Sequence, residues 1–135
     1  MSYWKPDYSV QVQQLDNQHK EFFGILEELS VAVDEEDHLD IDYIVVKLDL
    51  YALYHFACEE HYLAKYGYPD FEVHKQLHAG YSKGVETVKE KLAEDKISGV
   101  FELFDFMKEW WEKHILKSDK QYGPFLSERL KNIPF

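Results

Sequence analysis

The stretch DYIVVKLDLYALYHFACEEHYLAKY, residues 42–66, decides the fold. Its apolar residues recur at spacings of three and four, which is typical of an amphipathic helix, and Gly67-Tyr68-Pro69 stops that helix. One line along it carries Leu48, Ala52, His55, Glu59 and Tyr62. A histidine and a glutamate therefore lie on the stripe that the helix should bury.

Three further segments show the same spacing and predict three more helices. The first extends from Leu15 to Val33 with Asp16 as its cap, and the acidic stretch Asp34–Asp37 ends it. The third starts after Pro69-Asp70, and the fourth begins near Ser98-Gly99. We expect Gly123-Pro124 to break the chain beyond the fourth helix.

Four helices of roughly 18–25 residues joined by short turns predict an all-α fold, an up-down-up-down antiparallel four-helix bundle. Residues 1–14 are predicted to form an extended N-terminal arm that packs on the body. A short C-terminal tail should follow the fourth helix, with Phe125, Leu126, Ile133 and Phe135. At 135 residues, the chain is expected to be a single domain over residues 1–135.

The composition excludes several classes of function. A net charge of −11 argues against binding to nucleic acid or to an anionic membrane surface. No apolar run is long enough to span a bilayer, and Met1–Val10 lacks the features of a signal peptide. Cys58 is the single cysteine, so an internal disulfide is excluded, and a reducing, cytoplasmic location is expected.

Polar residues on the buried stripes should converge at one end of the bundle. They lie near the start of helix one, in the second half of helix two, at the start of helix three and at the end of helix four, which are neighbouring places when the helices are antiparallel. The set consists of His19, His55, Glu59, His74, His78, His114 and Asp119. Five imidazoles and two carboxylates in one core are hard to explain without metal.

Helical spacing accounts for most of this set. His55 and Glu59, like His74 and His78, are four residues apart and so share a helix face. His114 and Asp119 are five apart, which places them about 140° out of phase on a regular helix. Both can face one site only if the helix ends or distorts between them, and the expected break at Gly123-Pro124 would allow this.

The mixture of donors favours two octahedral first-row metal ions. Zinc takes four ligands, fewer than this set offers, and a calcium or magnesium site would not use five imidazoles. Two six-coordinate ions that share two bridging carboxylates and one solvent bridge use the whole set and leave one position open. Imidazole with carboxylate suits iron in both of its common oxidation states.

Over nearly its whole length, the chain resembles the hemerythrin family, specifically the single-domain bacterial type. The motifs that carry the resemblance are Tyr8-Ser9-Val10, Asp16-Asn17-Gln18-His19, His55-Phe56-Ala57-Cys58-Glu59-Glu60, Tyr68-Pro69 leading to His74-x-x-x-His78, His114-Ile115-x-x-x-Asp119 and Tyr122-Gly123-Pro124.

The resemblance implies a centre of two iron ions (Fe²⁺/Fe³⁺) with a bridging oxo or hydroxo group. His74, His78 and His114 would complete one iron, and His19 and His55 would complete the other. Glu59 and Asp119 would bridge the two, and the iron with two histidines would hold the open position. By family position, a dry ligand pocket would be lined by Phe22, Phe56, Trp110, Trp111 and Ile115.

The implied function is reversible binding of dioxygen for storage, delivery or scavenging, without enzymatic turnover. Azide and similar small anions would bind the di-ferric form. The family more usually has leucine where this chain has Trp111, so we expect ligand entry to be slower here. Two alternatives stay open: an oxygen or redox sensor that acts through a docking partner, and a di-iron oxidase or peroxidase.

Three further polar residues lie outside this set. Gln18 is interpreted either as a hydrogen-bond partner of the site or as a solvated residue. His38 is expected in the turn between helices one and two, and His61, two residues after Glu59, is expected to point away from the site.

Overall fold

Four long helices form the antiparallel bundle that the sequence predicts. The computed structural model describes residues 3–131. In chain order the helices are α1 (Gln13–Asp34), α2 (His38–Lys65), α3 (Phe71–Glu94), α4 (Lys96–His114), a π-helical segment (Ile115–Asp119) and α5 (Lys120–Leu130). α1 packs mainly on α2, and α3 packs mainly on α4, so the predicted all-α bundle is confirmed.

Aspartate caps extend two helices beyond their predicted starts. The backbone N–H of Asp40 donates to Oδ1 of Asp37, and α2 therefore begins at His38 instead of near Asp42. His38 is the exposed first residue of that helix and is not part of the turn. Asp95 accepts from the backbone N–H of Ser98 in the same way, so α4 begins at Lys96.

Asp16 fastens the N-terminal arm and does not cap α1. The helix begins at Gln13 after Val12, without a side-chain cap. Oδ2 of Asp16 accepts from the hydroxyl of Ser9 at 2.6 Å, and Oδ1 accepts from the backbone N–H of Val10 at 2.8 Å. The arm is held against the bundle, and one part of it, Pro6–Tyr8, is a short 3₁₀ helix.

Gly123-Pro124 does not break the chain, contrary to the prediction. α5 runs through both residues. A Cβ on Gly123 would lie 2.6 Å from the carbonyl oxygen of Val10, so the glycine is needed for the close approach of the arm. Pro124 follows the π-helical segment by one helical turn. The hydrogen bonds of the helix are already offset there, because Lys120 N–H donates to the carbonyl of Ile115, five residues back.

The predicted tail is helical as far as the structure describes it. Leu126 and Leu130 of α5 are buried and Phe125 is half-buried, so this segment adds to the core. Ile133 and Phe135 lie outside the described residues. Within residues 3–131, no helix has the length and hydrophobicity required to cross a bilayer.

Candidate metal centre

All seven polar residues predicted to converge do meet at one end of the bundle. None of them is more than 7% exposed. They are His19 on α1, His55 and Glu59 on α2, His74 and His78 on α3, His114 at the end of α4, and Asp119 at the end of the π-helical segment. The site therefore draws on every long helix.

The seven side chains form two groups that share their carboxylates. The first group is Glu59, His74, His78, His114 and Asp119, and the second is His19, His55, Glu59 and Asp119. In each group the candidate ligand atoms lie within 4.8 Å of one another. This arrangement suits two neighbouring cations with Glu59 and Asp119 between them.

The three-histidine group surrounds one oxygen from each carboxylate. Oε1 of Glu59 lies 2.5 Å from Nε2 of His74 and 2.9 Å from Nε2 of His78. Oδ1 of Asp119 lies 3.1 Å from Nε2 of His74 and 3.0 Å from Nε2 of His114. All three imidazoles therefore present the same nitrogen to this half of the site.

The two-histidine group faces the other oxygen of each carboxylate. Oε2 of Glu59 lies 3.2 Å from Nε2 of His55, and Oδ2 of Asp119 lies 3.2 Å from Nε2 of His19. The two imidazole nitrogens are 3.0 Å apart. Each carboxylate thus gives one oxygen to each group, which is the geometry of a bridging carboxylate.

The π-helical segment brings Asp119 into the site. His114 and Asp119 would diverge by about 140° on a regular α-helix. A π-helical turn closes hydrogen bonds between residues five apart and so returns a residue to the face of the one five positions earlier. The distortion that the sequence requires is therefore present, although it comes from this segment and not from Gly123-Pro124.

The site holds both carboxylates in their ionised form. Burial alone would raise the pKa of Glu59, but the close imidazoles of His55, His74 and His78 outweigh it and hold that pKa well below its usual range. For Asp119, burial and the charge of Glu59 both raise the pKa. The neighbouring imidazoles of His114 and His19 outweigh them and hold that pKa below its usual range. Two buried anions side by side call for positive charge between them.

Histidine protonation differs across the site. Burial, together with the neighbouring His19, lowers the pKa of His55 and keeps that imidazole neutral. Burial would also lower the pKa of His74, but the nearby carboxylates of Asp119 and Glu59 raise it to about 10. In the protein without metal, a proton on His74 partly offsets the two carboxylates, and a cation would take its place.

Polar atoms without hydrogen bonds show that the donors fit metal ions. Both carboxylate oxygens of Asp119 are buried and accept no hydrogen bond, although imidazole nitrogens lie close by. Nε2 of His78 and Nε2 of His114 approach to 3.2 Å. Leaving a buried carboxylate unpaired is costly, and ions placed between these atoms would remove that cost.

Comparison with known proteins agrees with this geometry. The sequence model described as "Hemerythrin HHE cation binding domain" matches residues 10–126. The chain belongs to the hemerythrin family. It is 33% identical to a bacteriohemerythrin from Clostridium acetobutylicum, over 90% of this chain and 98% of that protein.

The chain is also similar to a second relative and to a solved structure. A myohemerythrin from Theromyzon tessulatum is 27% identical over 88% of each chain. A crystal structure of wild-type hemerythrin superposes with a TM-score of 0.76 at 29% identity, over 92% of this chain and 96% of that one. The family and the fold expected from the motifs are both confirmed.

Two outer contacts orient the histidines of this hemerythrin. Nδ1 of His55 donates to Oε1 of Gln18 at 2.6 Å, and Nδ1 of His78 donates to Oε2 of Glu60 at 2.8 Å. Because these oxygens accept hydrogen bonds, they keep hydrogen on Nδ1 and leave the lone pair of Nε2 facing the centre. Gln18, whose NH₂ group contacts Sγ of Cys58 at 3.5 Å, is thus a partner of the site.

Sequence reasoning missed Glu60 as a direct partner of the candidate ligands, and it left open whether Tyr122 contacts them or only packs. The hydroxyl of the buried Tyr122 donates to Oε2 of Glu59 at 2.7 Å. The signal for Glu60 was its position next to Glu59. Glu59 faces the core, and Glu60, whose side chain is only 24% exposed, contacts His78 on α3. His61, in contrast, is exposed, as expected.

Aromatic rings cover the two-histidine side of the centre. The ring of Trp111 stacks on Phe22 with centroids 3.6 Å apart and lies 5.4 Å from the ring of His55. Phe56 also stacks on Trp111, at 5.5 Å, and it stacks on His78 of the three-histidine group, at 3.9 Å. Ile115 is fully buried. Trp111 and Phe22 therefore cover the two-histidine side, where the sequence expects the open position, and Phe56 contacts both halves of the centre.

Trp110 occupies a different place from Trp111. Its half-buried ring stacks on His114, with centroids 4.4 Å apart, and lies 4.6 Å from Tyr81. It therefore covers the three-histidine side. The two adjacent tryptophans contact different halves of the centre.

Proposed function

We propose that this hemerythrin binds dioxygen reversibly at a pair of iron ions, with residues 1–135 acting as one domain. One iron would be held by three histidines and the other by two, with both carboxylates shared. The proposed ligands are His74, His78 and His114 for the first iron, His19 and His55 for the second, and Glu59 and Asp119 for both. A bridging oxo or hydroxo group would complete the pair.

The division of carboxylate oxygens carries this proposal. Oε1 of Glu59 and Oδ1 of Asp119 face the three histidines, whereas Oε2 and Oδ2 face the other two. Only a pair of metal ions uses both oxygens of both side chains, and imidazole with carboxylate suits iron. The smaller number of histidines on the second side favours a free coordination position there.

The protein's own residues favour binding over turnover. A pair of ferrous ions would supply the electrons for reversible binding of dioxygen. Trp111 and Phe22 would keep water and protons away from the two-histidine side, which would protect the reduced form. Gln18 and Glu60 fix the imidazole tautomers and so keep the site ready for its metals.

An optical spectrum with metal analysis on the same sample tests this function. We expect two irons per chain, a colourless form after anaerobic reduction, and visible bands that appear in air and vanish on deoxygenation. Direct passage to a stable oxidised spectrum would contradict reversible binding and favour a redox sensor or oxidase. A steady-state peroxidase assay separates those two, and the absence of iron would contradict the metal centre itself.

Replacing Trp111 with leucine is expected to speed ligand entry. The stacked indole fills the space between Phe22 and Phe56, and Trp111→Leu would open it. Azide should bind the di-ferric variant several-fold faster than the wild type in stopped-flow measurements. Trp110→Leu is the matched control, since Trp110 covers the other side; an equal acceleration in both variants, or none in Trp111→Leu, would refute the gating role.

Replacing Gln18 with leucine is expected to weaken metal binding. Gln18→Leu keeps the volume of the side chain but removes the acceptor that holds hydrogen on Nδ1 of His55. Loss of such an outer partner costs about 10–100-fold in metal affinity. Chelator competition against Fe²⁺ measures this change, and Gln18→Glu, which retains an oxygen acceptor, should lose much less. Equal affinities for all three proteins would show that the contact is only packing.

A further inference from the structure

Helix α2 is apolar on two opposite faces. Its inner face contributes buried residues such as Ile41, Leu48 and Ala52 to the core. A surface helix ordinarily presents polar residues on the face opposite to its buried stripe. On α2 that face carries six exposed apolar residues instead, which we call the outer seam: Leu39, Tyr43, Val46, Leu50, Leu53 and Ala57.

The outer seam has the spacing of a coiled coil. Successive members are four, three, four, three and four residues apart, which is the alternation of a and d positions in a heptad repeat. The seam extends roughly 27 Å along the helix at about 1.5 Å per residue. Scattered surface hydrophobics need no explanation, but a continuous stripe in this register is suited to packing against another helix.

The exposed area is large enough for a stable interface. Leu39 is 82% exposed, Tyr43 67% and Leu50 62%. With the adjacent Tyr54, the seam exposes on the order of 800 Å² of side-chain surface, which is about what each partner contributes to a standard protein interface. The largest apolar patch on a typical monomer is smaller, at roughly 300–600 Å².

The register of the outer seam is complementary to itself. When two copies of α2 lie antiparallel with a twofold axis at residue 48, Leu39 faces Ala57 of the second copy, and Val46 faces Leu50. Tyr43 then faces Leu53. Every member meets another member, and each a position meets a d position, as in an antiparallel coiled coil. A twofold interface requires this kind of self-matching.

Charges beside the seam are already balanced within one chain. Three of the four charged residues between Leu39 and Ala57 pair with another helix of the same chain: Asp42 with Lys96, Lys47 with Glu28, and Asp49 with Lys89. Two molecules of net charge −11 repel each other in general. This face minimises that repulsion, and salt should screen what remains.

We propose that the outer seam of α2 is a dimer interface that joins two copies of this chain in antiparallel orientation. The contact is on the outside of the bundle, whereas His55 and Glu59 of the same helix face inward. Dimer formation is therefore independent of the metal proposal, and its failure would leave that proposal intact.

Sedimentation equilibrium of the wild type and of Leu50→Glu tests the interface. The wild type, whose chain mass is 16.1 kDa, should show twice that mass between about 10 µM and 1 mM, and more strongly with added salt. Leu50→Glu should weaken the dimer by about 100-fold or more, because two carboxylates would be buried in each dimer. Val31→Glu is the matched control: Val31 is 55% exposed and lies on α1, so it is not a member of the seam.

Disulfide cross-linking tests the orientation. In a Cys58→Ser background, a Val46→Cys protein mixed with a Leu50→Cys protein should form mixed dimers on mild oxidation. A parallel pairing would instead cross-link the Val46→Cys protein to itself. A monomeric wild type at about 1 mM, or a dimer that Leu50→Glu leaves unchanged, would overturn the proposal. Circular dichroism melting of each variant confirms that only association has changed.

Discussion

Glu59→Gln is expected to reduce the bound iron from two ions per chain to one or none. The carboxylate of Glu59 sends Oε1 to one group of histidines and Oε2 to the other. A glutamine has nearly the same size, but one of its two terminal atoms becomes an NH₂ group, which donates and cannot ligate. One bridge is lost together with one of the two negative charges in the site.

Glu60→Gln provides the matched control for that substitution. The change in chemistry is identical and the position is the next residue, but Glu60 contacts only the outer nitrogen of His78. It should keep two irons and lose only affinity, by about 10–100-fold. Iron content after gel filtration measures both variants. Two irons retained in Glu59→Gln would show that Glu59 does not bridge, whereas loss in both variants would indicate general damage to the helix.

Insertion of one alanine between Lys117 and Ser118 is expected to abolish iron binding. The π-helical segment returns Asp119 to the face of His114 over five residues. One more residue would rotate Asp119 by about 100° and carry its carboxylate out of the site. The hydroxyl of Tyr122, which donates to Glu59, would move with it. Iron analysis should detect no bound iron, and the visible spectrum should show no bands.

Deletion of Lys117 should have the opposite outcome. Lys117 is exposed, and its removal would place His114 and Asp119 four residues apart, which is the spacing that shares a face in a regular α-helix. This variant should retain iron. If the insertion keeps both irons, or if deletion and insertion destroy the site equally, the helix does not position Asp119 through its register.

The helices and the candidate ligands could be predicted because burial imposes a period on the sequence. His55 and Glu59 stand on the same stripe as Leu48 and Ala52, and His74 and His78 repeat that spacing on α3. An antiparallel bundle then brings the correct ends together without any structural information. The helical period and the antiparallel topology were sufficient to place six of the seven side chains in the site. For Asp119, the sequence indicated that the helix must be distorted.

Several details could not be predicted because the same residue type serves different physical roles. Asp16 at the start of α1 was interpreted as a cap, but its carboxylate binds the arm at Ser9 and Val10. Asp37 and Asp95 are the true caps. Gly123 indicated a break, whereas it allows the arm to approach a continuous helix. In each case the partner is distant in sequence, so local pattern does not identify it.

Because all seven candidate ligands lie at one end of the bundle, its two ends are stabilised in different ways. With ions bound, all four long helices and the π-helical segment would be cross-linked there, much as disulfides close loops and restrict the unfolded chain. The opposite end, with the turns at residues 35–37 and 95, is held by apolar packing and aspartate caps. The holoprotein would therefore open from its metal-free end, and the cross-linked end would be the last part of the fold to be lost.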